Sequence, residues 1–361
     1  MWSRGVCKMN VEVVDLFCGV GGLTKGLSNA GLNVIAGFDN DRSCEYAYSR
    51  NNDAIFHLAD IRKVTGKEIN NLYRKDALKI LVGCAPCQPF SQLRSKMGKA
   101  NLLDEKYDLL REYGRLITEV KPTIISMENV PQLVNSNIYQ QFLGTITQLG
   151  YFYDAKVIKC SDYGVSQGRR RLVLIGSLLG PIEFLKPTHA NNPLMVKDFI
   201  SELPPIKAGE TYEKDPLHQA TGLSELNIRR IRASHPGGTW KDWPEDLRCE
   251  CHKKKSGKTY PSVYGRMSWD QIGPTITTQF YNYGTGRYGH PEQDRALSLR
   301  EGALLQTFPK DYDFINPDVP FSIKAIGRHI GNAVPVRIGE VIGDSIMIHI
   351  KAVANNEREN H

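Results

Sequence analysis

The sequence predicts an α/β fold, with a doubly wound, mostly parallel sheet and a second, smaller domain. Three observations carry this prediction. Short apolar runs alternate with amphipathic stretches through the first half of the chain, and glycine-rich or acidic segments follow several of the apolar runs. From Pro187 the chain becomes polar and rich in Pro and Gly, with few periodic apolar runs.

Five apolar runs have the length and composition of buried strands. They cover residues 11–17, 34–38, 79–83, 123–127 and 171–176. Apolar residues at three- and four-residue spacing predict amphipathic helices over 23–30, 109–120 and 295–308. Strands that alternate with helices form βαβ units, so the sheet should be mostly parallel.

The domain boundaries are placed where the composition changes. The break at Pro187 separates the periodic first half from the polar segment, and a last amphipathic stretch over 335–353 can pack back on the first sheet. We therefore expect a first domain over residues 1–186, completed by 325–361, and a second domain with its hinge over 187–324.

The composition is that of an ordinary globular protein. With 41% hydrophobic and 24% charged residues in a chain of 361, disorder and collagen are excluded. A net charge of +7 and a pI near 8.9 suit a polyanionic partner. No apolar run reaches the ~18 residues of a membrane span, and the first residues lack a signal-peptide core, so we expect a soluble intracellular protein without a membrane partner. Eight cysteines are too few for a disulfide framework in this chain, so each is a core residue, a ligand or a nucleophile.

A glycine-rich turn follows the first predicted strand. Gly19, Gly21 and Gly22 let the backbone approach a ligand closely at this strand-to-helix junction. Asp39 ends the next strand, 20 residues after Gly19, where a carboxylate can hydrogen-bond the hydroxyls of a ribose. Asp60 stands at the end of a third strand element. The glycines alone could be no more than a tight turn, but together with these acids they predict a nucleoside-containing cofactor.

Cys87 lies in a loop directly after a predicted strand, and Pro86 and Pro89 stiffen that loop. Besides a nucleophile, three alternatives remain open for it: a core cysteine, a redox pair with Cys84, or part of a metal site. Glu128 ends another strand. The carboxyl ends of parallel strands share one sheet edge, so a nucleophile and an acid should meet there, which is a catalytic arrangement.

Three consecutive arginines, Arg169 to Arg171, enter the last predicted strand. Side-chain alternation puts Arg169 and Arg171 on one face and Arg170 on the other. A guanidinium group is always charged, and its rigid donors can hold an anion or a carbonyl oxygen of a planar base. Taken alone, the triplet could equally be a solvated basic edge.

A basic segment, residues 229–266, lies in the second predicted domain. It holds ten Lys or Arg residues against four Asp or Glu, a net charge of +6. Such a segment can contact phosphates, although a solvated basic loop is the alternative. The side chains expected to contact phosphates are Arg229, Arg230, Lys253, Lys254 and Lys255.

A short Cys-x-Cys-His sequence, Cys249, Cys251 and His252, lies inside the basic segment. These residue types could form part of a zinc site. A structural zinc takes four ligands, and no second pair is evident nearby in the sequence. We therefore predict no metal.

Taken together, the motifs resemble those of the DNA cytosine-5 methyltransferase family, in its bacterial restriction-modification type. They occur in the family's order and span almost the whole chain, which makes the set far more specific than any single motif. The matching segments are 15–22, 86–88, 128–130, Gln167 with Arg169 and Arg171, 295–301, 306–309 and 331–335.

This resemblance implies a Rossmann-like catalytic domain that binds S-adenosylmethionine, and a smaller target-recognition domain. Phe17 would stack on the adenine, Asp39 would bind the ribose and Asp60 the adenine edge. Asp39 stands where many relatives carry the longer Glu. The other residues expected at the cofactor are Gly19, Gly21, Gly22, Pro86, Leu109 and Asn332.

The implied reaction is methyl transfer to carbon 5 of a cytosine flipped out of duplex DNA. Cys87 would add to carbon 6 and thereby make carbon 5 nucleophilic. Glu128 would hydrogen-bond ring nitrogen 3 and the exocyclic amine, Arg171 would hold the carbonyl oxygen at position 2, and Arg169 would fix Glu128. Further substrate contacts are expected from Ser91 and Gln167.

Two alternative functions remain open. One is an RNA (tRNA) cytosine-5 methyltransferase on the same scaffold, against which the basic second domain favours duplex DNA. The other is a catalytically silent DNA-binding regulator, against which the intact Cys87 and Glu128 count. We expect a monomer in the bacterial cytoplasm, with a cognate restriction endonuclease that shares its target sequence without necessarily binding it.

Overall fold

The computed structural model describes residues 10–86, 104–254 and 261–359, with only the backbone described over 104–108 and 357–359. The chain forms two compact units. The first contains the described residues of Met1–Ile158, Arg170–Lys186 and Ile338–His361, and the second those of Lys159–Arg169 and Pro187–Arg337.

The first unit is built on a seven-stranded sheet. Its strands are β1 (Val11–Leu16), β2 (Asn33–Asp39), β3 (Ile55–Leu58), β4 (Leu78–Gly83), β5 (Ile124–Asn129), β6 (Phe152–Lys159) and β7 (Arg170–Ser177). The strand order is β3-β2-β1-β4-β5-β7-β6. Strands β1 to β5 pair in parallel, whereas β7 runs antiparallel to β5. The predicted doubly wound, mostly parallel sheet is thus confirmed.

Helices connect these strands. They are α1 (Gly22–Asn29), α2 (Glu45–Asn51), α3 (Gly66–Asn70), α4 (Asp104–Val120) and α5 (Asn137–Gln148). In α4, apolar residues at helical spacing, from Leu110 to Val120, are buried against the sheet. The Tyr113 hydroxyl donates to the carbonyl oxygens of Leu81 at 3.0 Å and Ser126 at 2.7 Å, and so ties α4 to β4 and β5.

Strand β6 is one that the hydrophobic pattern did not predict. It is the outermost strand, and several of its side chains, including Phe152 and Tyr153, are exposed. A strand whose faces are this exposed does not need the apolar run of a buried strand, so the hydrophobic pattern does not indicate it.

The second unit consists of short elements and long irregular segments. The elements are α6 (Lys197–Ile200), β8 (Thr211–Tyr212), β9 (Asp215–Gln219), α7 (Glu225–Arg232), α8 (Glu250–Lys253), α9 (Leu299–Leu305) and α10 (Ile323–Asn332). Strands β8 and β9 form an antiparallel pair. These short elements and irregular segments explain why the sequence after Pro187 has few periodic apolar runs.

The predicted helix over 295–308 is shorter in the structure, because Ser298 caps α9 through a capping box with Glu301. Arg295 donates to both carboxylate oxygens of Glu301 at 2.7 Å, and both side chains are fully buried. Burial alone would raise the pKa of Glu301, but the hydrogen bonds and charge of Arg295 lower it to about 2. The Arg-x-x-Ser-x-x-Glu pattern is therefore a core structure of the second unit.

The last helix, α11 (Val336–Glu359), belongs for most of its length to the first unit. It packs closely on α1, where a Cβ atom at Gly339 would lie 2.9 Å from the carbonyl oxygen of Leu23. Its His349 Nε2 lies 2.8 Å from the Ser177 hydroxyl of β7. This is the return to the first sheet that the amphipathic pattern predicts. In the described part of the chain, no helix combines the length and apolarity that crossing a membrane requires.

One predicted domain boundary, after residue 186, coincides with a division between the units. The other division falls after Arg337 instead of residue 324, and Lys159–Arg169 joins the second unit. Both differences have a packing reason. In α10, Gly331 lies directly against the backbone of Thr277, and Gln167 is hydrogen-bonded to the carbonyl oxygen of Leu305.

Candidate active site

The sheet of the first unit has a topological switch point between β1 and β4. From β1 the chain proceeds to β2 and β3 on one side, and β4 begins the other side. Ligands of doubly wound sheets bind at the carboxyl ends of the strands at such a point. The glycine-rich turn follows β1, and the segment that leads to Cys87 follows β4. The two motifs therefore leave the sheet at one place.

The glycine-rich turn requires unusual backbone angles. Gly19 and Gly21 have φ values of 52° and 87°, and Phe17 also has a positive φ of 60°. Glycine adopts this region without strain, whereas the angle at Phe17 costs about 1–3 kcal/mol. A Cβ atom at Gly19 would meet no described atom within 4 Å, so this backbone borders open space. The half-buried Phe17 packs against the sheet core at the same turn.

Asp39 fastens the turn to β2. Its Oδ2 accepts from the Gly19 amide at 2.8 Å, and its Oδ1 accepts from the Asp41 amide at 2.9 Å. Burial raises the pKa of Asp39. Each carboxylate oxygen has a second lone pair, so the group can still accept from two ribose hydroxyls.

Asp15, within β1, is an acid to which sequence reasoning gave no role. It is fully buried, and its Oδ2 accepts from the Thr24 hydroxyl at 2.7 Å. Its Oδ1 has no hydrogen-bond partner among the described residues. Burial raises its pKa to about 7. The signal in the sequence was an acid near the end of a mostly apolar strand.

The remaining predicted cofactor residues differ in their surroundings. Asp60 is held by Arg62, whose Nη2 lies 2.7 Å from Oδ2, and this hydrogen bond lowers the pKa of Asp60. Leu109 is half-buried and packs against the sheet core. Pro86 is exposed after β4, and Asn332 is exposed at the end of α10 in the second unit.

Glu128 is buried at the carboxyl end of β5 and forms an ion pair with Arg171 of β7. Its Oε1 lies 2.8 Å from Arg171 Nε, and the two side chains are 8% and 15% exposed. Glu128 stands opposite Val173 in the antiparallel register, so Arg171 is its diagonal neighbour on the same face. As alternation predicts, Arg170 points outward.

The segment after β4 is tied to the end of β5. The Asn129 Nδ2 donates to the carbonyl oxygen of Ala85 at 2.9 Å. Burial raises the pKa of the Cys84 thiol, and the negative charge of Glu128, to which that thiol is hydrogen-bonded, raises it further. No pattern in the sequence indicated these contacts of Asn129 and Cys84. Cys87 itself lies outside the described residues, as do Ser91 and Lys255.

Gln167 and Arg169 belong to the second unit. Gln167 is fully buried: its Nε2 donates to Leu305 and Gln306, and its Oε1 accepts from the Ile276 amide. These contacts occupy its amide group, so we revise the predicted substrate contact of Gln167 to a structural role. Arg169 is 3% exposed and donates to the carbonyl oxygens of Ile276 and Ala333 at 3.1 and 3.2 Å.

The predicted DNA-contacting side chains that the structure describes fall into two groups, one exposed and one with contacts inside the second unit. Arg229, Lys253 and Lys254 are exposed, and the first two form ion pairs with exposed acids. Arg230 instead donates to the Leu247 carbonyl oxygen and lies over the Trp243 ring, 5.3 Å from its centroid. Its Nε and Nη1 atoms are thus used inside the unit, and its contact with phosphate stays a prediction.

A sheet of this order with its ligand turn at the switch point is the Rossmann-like fold of S-adenosylmethionine-dependent methyltransferases. Two solved structures have this fold over most of the chain. A proposed prophage-encoded DNA modification methyltransferase of Escherichia coli matches with a TM-score of 0.71 at 22% identity, covering 95% of this chain and 100% of that one. The methyltransferase EhMeth of Entamoeba histolytica matches with a TM-score of 0.65 at 14% identity, covering 95% and 99%.

The family model for C-5 cytosine-specific DNA methylases matches residues 11–347, and the chain belongs to that family. The Type II methylase M.HgiDII of Herpetosiphon aurantiacus is 51% identical over 96% of this chain and 98% of its own. The Type II methyltransferase M.Eco47II of Escherichia coli is 31% identical over 93% and 78%.

The protein is therefore a DNA cytosine-5 methyltransferase of the kind found in restriction-modification systems, and S-adenosylmethionine is its methyl donor. This confirms the function that the motifs predict and sets aside the silent regulator. The residues at the switch point fit the donor, because they offer a half-buried aromatic ring, a carboxylate with free lone pairs, and glycine backbone that borders open space.

Proposed function

We propose that the enzyme methylates a flipped-out cytosine through a covalent adduct between Cys87 and carbon 6 of the base. The observation that carries this proposal is the buried Glu128, which the Arg171 ion pair holds at the end of β5. The segment leading to Cys87 is fixed to the same strand end by the hydrogen bond from Asn129 to Ala85. Cys87 directly follows this segment in the sequence.

Carbon 5 of cytosine is too electron-poor to attack a methyl sulfonium unaided. When the Cys87 thiolate bonds to carbon 6, the 5,6 double bond is lost and its electrons make carbon 5 nucleophilic. The bound donor would supply the methyl group as an electrophile: as carbon 5 bonds to the methyl carbon, the bond from that carbon to the sulfonium sulfur breaks and its electron pair stays on the sulfur. A base, for which water is sufficient, then takes the carbon 5 proton; the electrons of that C–H bond restore the 5,6 double bond, and Cys87 leaves as thiolate.

Glu128 and the arginines stabilise the adduct in this scheme. Glu128 hydrogen-bonds the exocyclic amine and shares a proton with ring nitrogen 3 as negative charge develops on the ring. Arg171 holds the base oxygen at position 2 and also orients Glu128, an additional role that its 2.8 Å ion pair supports. We propose that the positive charge of Arg169 contributes to the local electrostatic field, which would also stabilise the Cys87 thiolate.

For the donor, we propose that Phe17 stacks on the adenine and Asp39 accepts from the ribose hydroxyls. Gly19, Gly21 and Gly22 give the backbone its close approach. Asp60 would contact the adenine edge while it remains bound to Arg62. Further contacts with the donor are proposed for Pro86, Leu109 and Asn332.

Base flipping costs a few kcal/mol, so DNA contacts elsewhere must offset it. We propose that the second unit is the target-recognition domain and that Arg229, Lys253, Lys254 and Lys255 contact phosphates. The exposure of the first three supports this assignment. The remaining substrate contact is assigned to Ser91.

The test is a trapping experiment with duplex DNA that carries 5-fluorocytosine. Fluorine does not leave as a proton does, so with S-adenosylmethionine the adduct should persist on a denaturing gel, and peptide mapping should place it on Cys87. Cys87→Ser should abolish the adduct, whereas Cys160→Ala, at a buried cysteine outside the proposed site, should retain it. Adduct only with substituted RNA would overturn the DNA substrate, and an adduct on another residue would overturn the nucleophile.

We also propose that the protein acts as a monomer in the bacterial cytoplasm and shares its target sequence with a cognate restriction endonuclease. One protomer holds every residue named in the mechanism, which supports a monomer. Light scattering of the protein with and without DNA tests this, and a dimer in both samples would contradict it. Sequencing the trapped DNA would give the target site of the methyltransferase. That site can then be compared with the site that the proposed restriction endonuclease cuts.

A further inference from the structure

The structure brings three soft metal ligands together in the second unit. The ligand atoms of Cys249, Cys251 and His252 all lie within 4.8 Å of one another. Cys249 precedes α8 with extended backbone angles, and the His252 amide donates to its carbonyl oxygen at 2.9 Å. This turn brings residues that are close in sequence onto one side of a short helix.

His252 gives an independent indication of a ligand. It is 5% exposed, and its Nδ1 has no hydrogen-bond partner among the described residues. Its ring is fixed by stacking on Trp240, with centroids 4.2 Å apart, and by an edge contact with Tyr264 at 5.9 Å. Buried polar atoms are almost always satisfied, so an unpaired nitrogen on a rigidly held imidazole ring that lies close to two thiols indicates a missing ligand.

We propose that Cys249, Cys251 and His252 bind a thiophilic divalent cation, for which Zn²⁺ is the best match. Two thiolates and one imidazole are ligands that Zn²⁺ prefers, and water can take the fourth tetrahedral position. Binding replaces two S–H bonds with two S–metal bonds and releases two protons. The two thiolate charges cancel that of the ion, so the local charge of the basic segment is unchanged.

This inference reverses the sequence-based expectation of no metal. That expectation rested on the lack of a second ligand pair, which a site completed by water does not need. The ion would hold the first turn of α8 together, and His252 connects that turn to the aromatic cluster that contains Trp240 and Trp243. It would thereby fix the start of the Lys253 and Lys254 segment, and it does so independently of the proposed catalytic roles.

The test uses the full chain, loaded with Zn²⁺, freed of excess metal and analysed for metal content, in parallel with Co²⁺ substitution. We expect one ion per chain and the intense thiolate-to-cobalt absorption of a tetrahedral sulfur site. Cys251→Ser should abolish both signals. This cysteine is exposed, so the variant should remain folded, as circular dichroism would verify. Glu250→Gln is the matched control, because Glu250 is an exposed neighbour in the same turn that is outside the ligand set.

Three results would overturn the proposal. The first is a chain that retains no metal while its circular dichroism is native. The second is equal metal content in Cys251→Ser and wild type. The third is an intact mass lower by two hydrogens that is restored by reductant, which would show that the thiols form a disulfide instead. Release of two protons per ion added, measured in weak buffer, would support the proposed thiolate ligation.

Discussion

Arg171 Nε lies 2.8 Å from Glu128 Oε1 across the antiparallel β5–β7 pair, and both side chains are largely buried. A buried carboxylate that loses its cation is left uncompensated, which costs about 3–5 kcal/mol. The pair therefore contributes both to the folding of the first unit and to the orientation of the proposed catalytic acid.

We expect Arg171→Ala to lower the free energy of unfolding by about 3–5 kcal/mol and to abolish the 5-fluorocytosine adduct. Arg170→Ala, at the exposed neighbour, should change stability by less than about 0.5 kcal/mol. Urea unfolding measures both. In a double-mutant cycle, Glu128→Gln with Arg171→Ala should cost less than the sum of the single changes. Additive costs would show that the ion pair is not coupled.

Gly19→Ala should reduce the affinity for S-adenosylmethionine by more than it reduces the stability of the fold. The φ of 52° makes alanine unfavourable by about 1–2 kcal/mol, and the added Cβ would enter the open space proposed for the ligand. Calorimetric titration with S-adenosylmethionine measures the loss of affinity. Gly144→Ala is the matched control: it lies in α5, and a Cβ atom there would meet no atom of the described residues within 4 Å, so affinity should be unchanged and stability slightly higher. Unchanged affinity in Gly19→Ala would remove the turn from the donor site.

Asp15 should give the first unit a distinctive pH dependence. Its folded-state pKa of about 7 exceeds the 3.8 of an exposed Asp, so the native state binds more protons than the unfolded chain between these values. The contribution of the Asp15 carboxyl group to the free energy of unfolding therefore falls as the pH rises from about 4 to about 7. We expect the stability of Asp15→Asn relative to wild type to increase over this window by a few kcal/mol. Parallel stability curves in urea titrations would contradict the raised pKa.

Gly331→Ala should destabilise the second unit. The added Cβ would lie 2.4 Å from the carbonyl carbon and oxygen of Thr277 and 2.5 Å from the Thr278 amide nitrogen, and a backbone cannot yield as a side-chain tip can. Overpacking of this kind costs about 1–3 kcal/mol or more. Thermal unfolding should show it, with Gly222→Ala as the control, because that exposed position has nothing within 4 Å. Equal melting temperatures for the two variants would refute this packing.

The burial of polar residues was poorly predicted from sequence. Gln167 stands in a polar segment and was expected to contact substrate, yet it is fully buried and its amide group is occupied by hydrogen bonds inside the second unit. A Gln or Arg is exposed in most sequence contexts, and only its three-dimensional partners show when it is instead a satisfied internal residue. For the same reason, the sequence does not show that the buried Nδ1 of His252 lacks a hydrogen-bond partner among the described residues.

The sequence by itself determined the sheet, the glycine turn and the acid that fastens it. Asp39 meets Gly19 because a strand, a turn, a helix and the next parallel strand form one local unit, whose geometry follows from periodicity and turn chemistry. Only the tertiary structure decided that Arg171 meets Glu128. Because β7 runs antiparallel beside β5, its first residues lie where β5 ends. Strand order and direction arise from packing among distant segments, which no local pattern of side chains encodes.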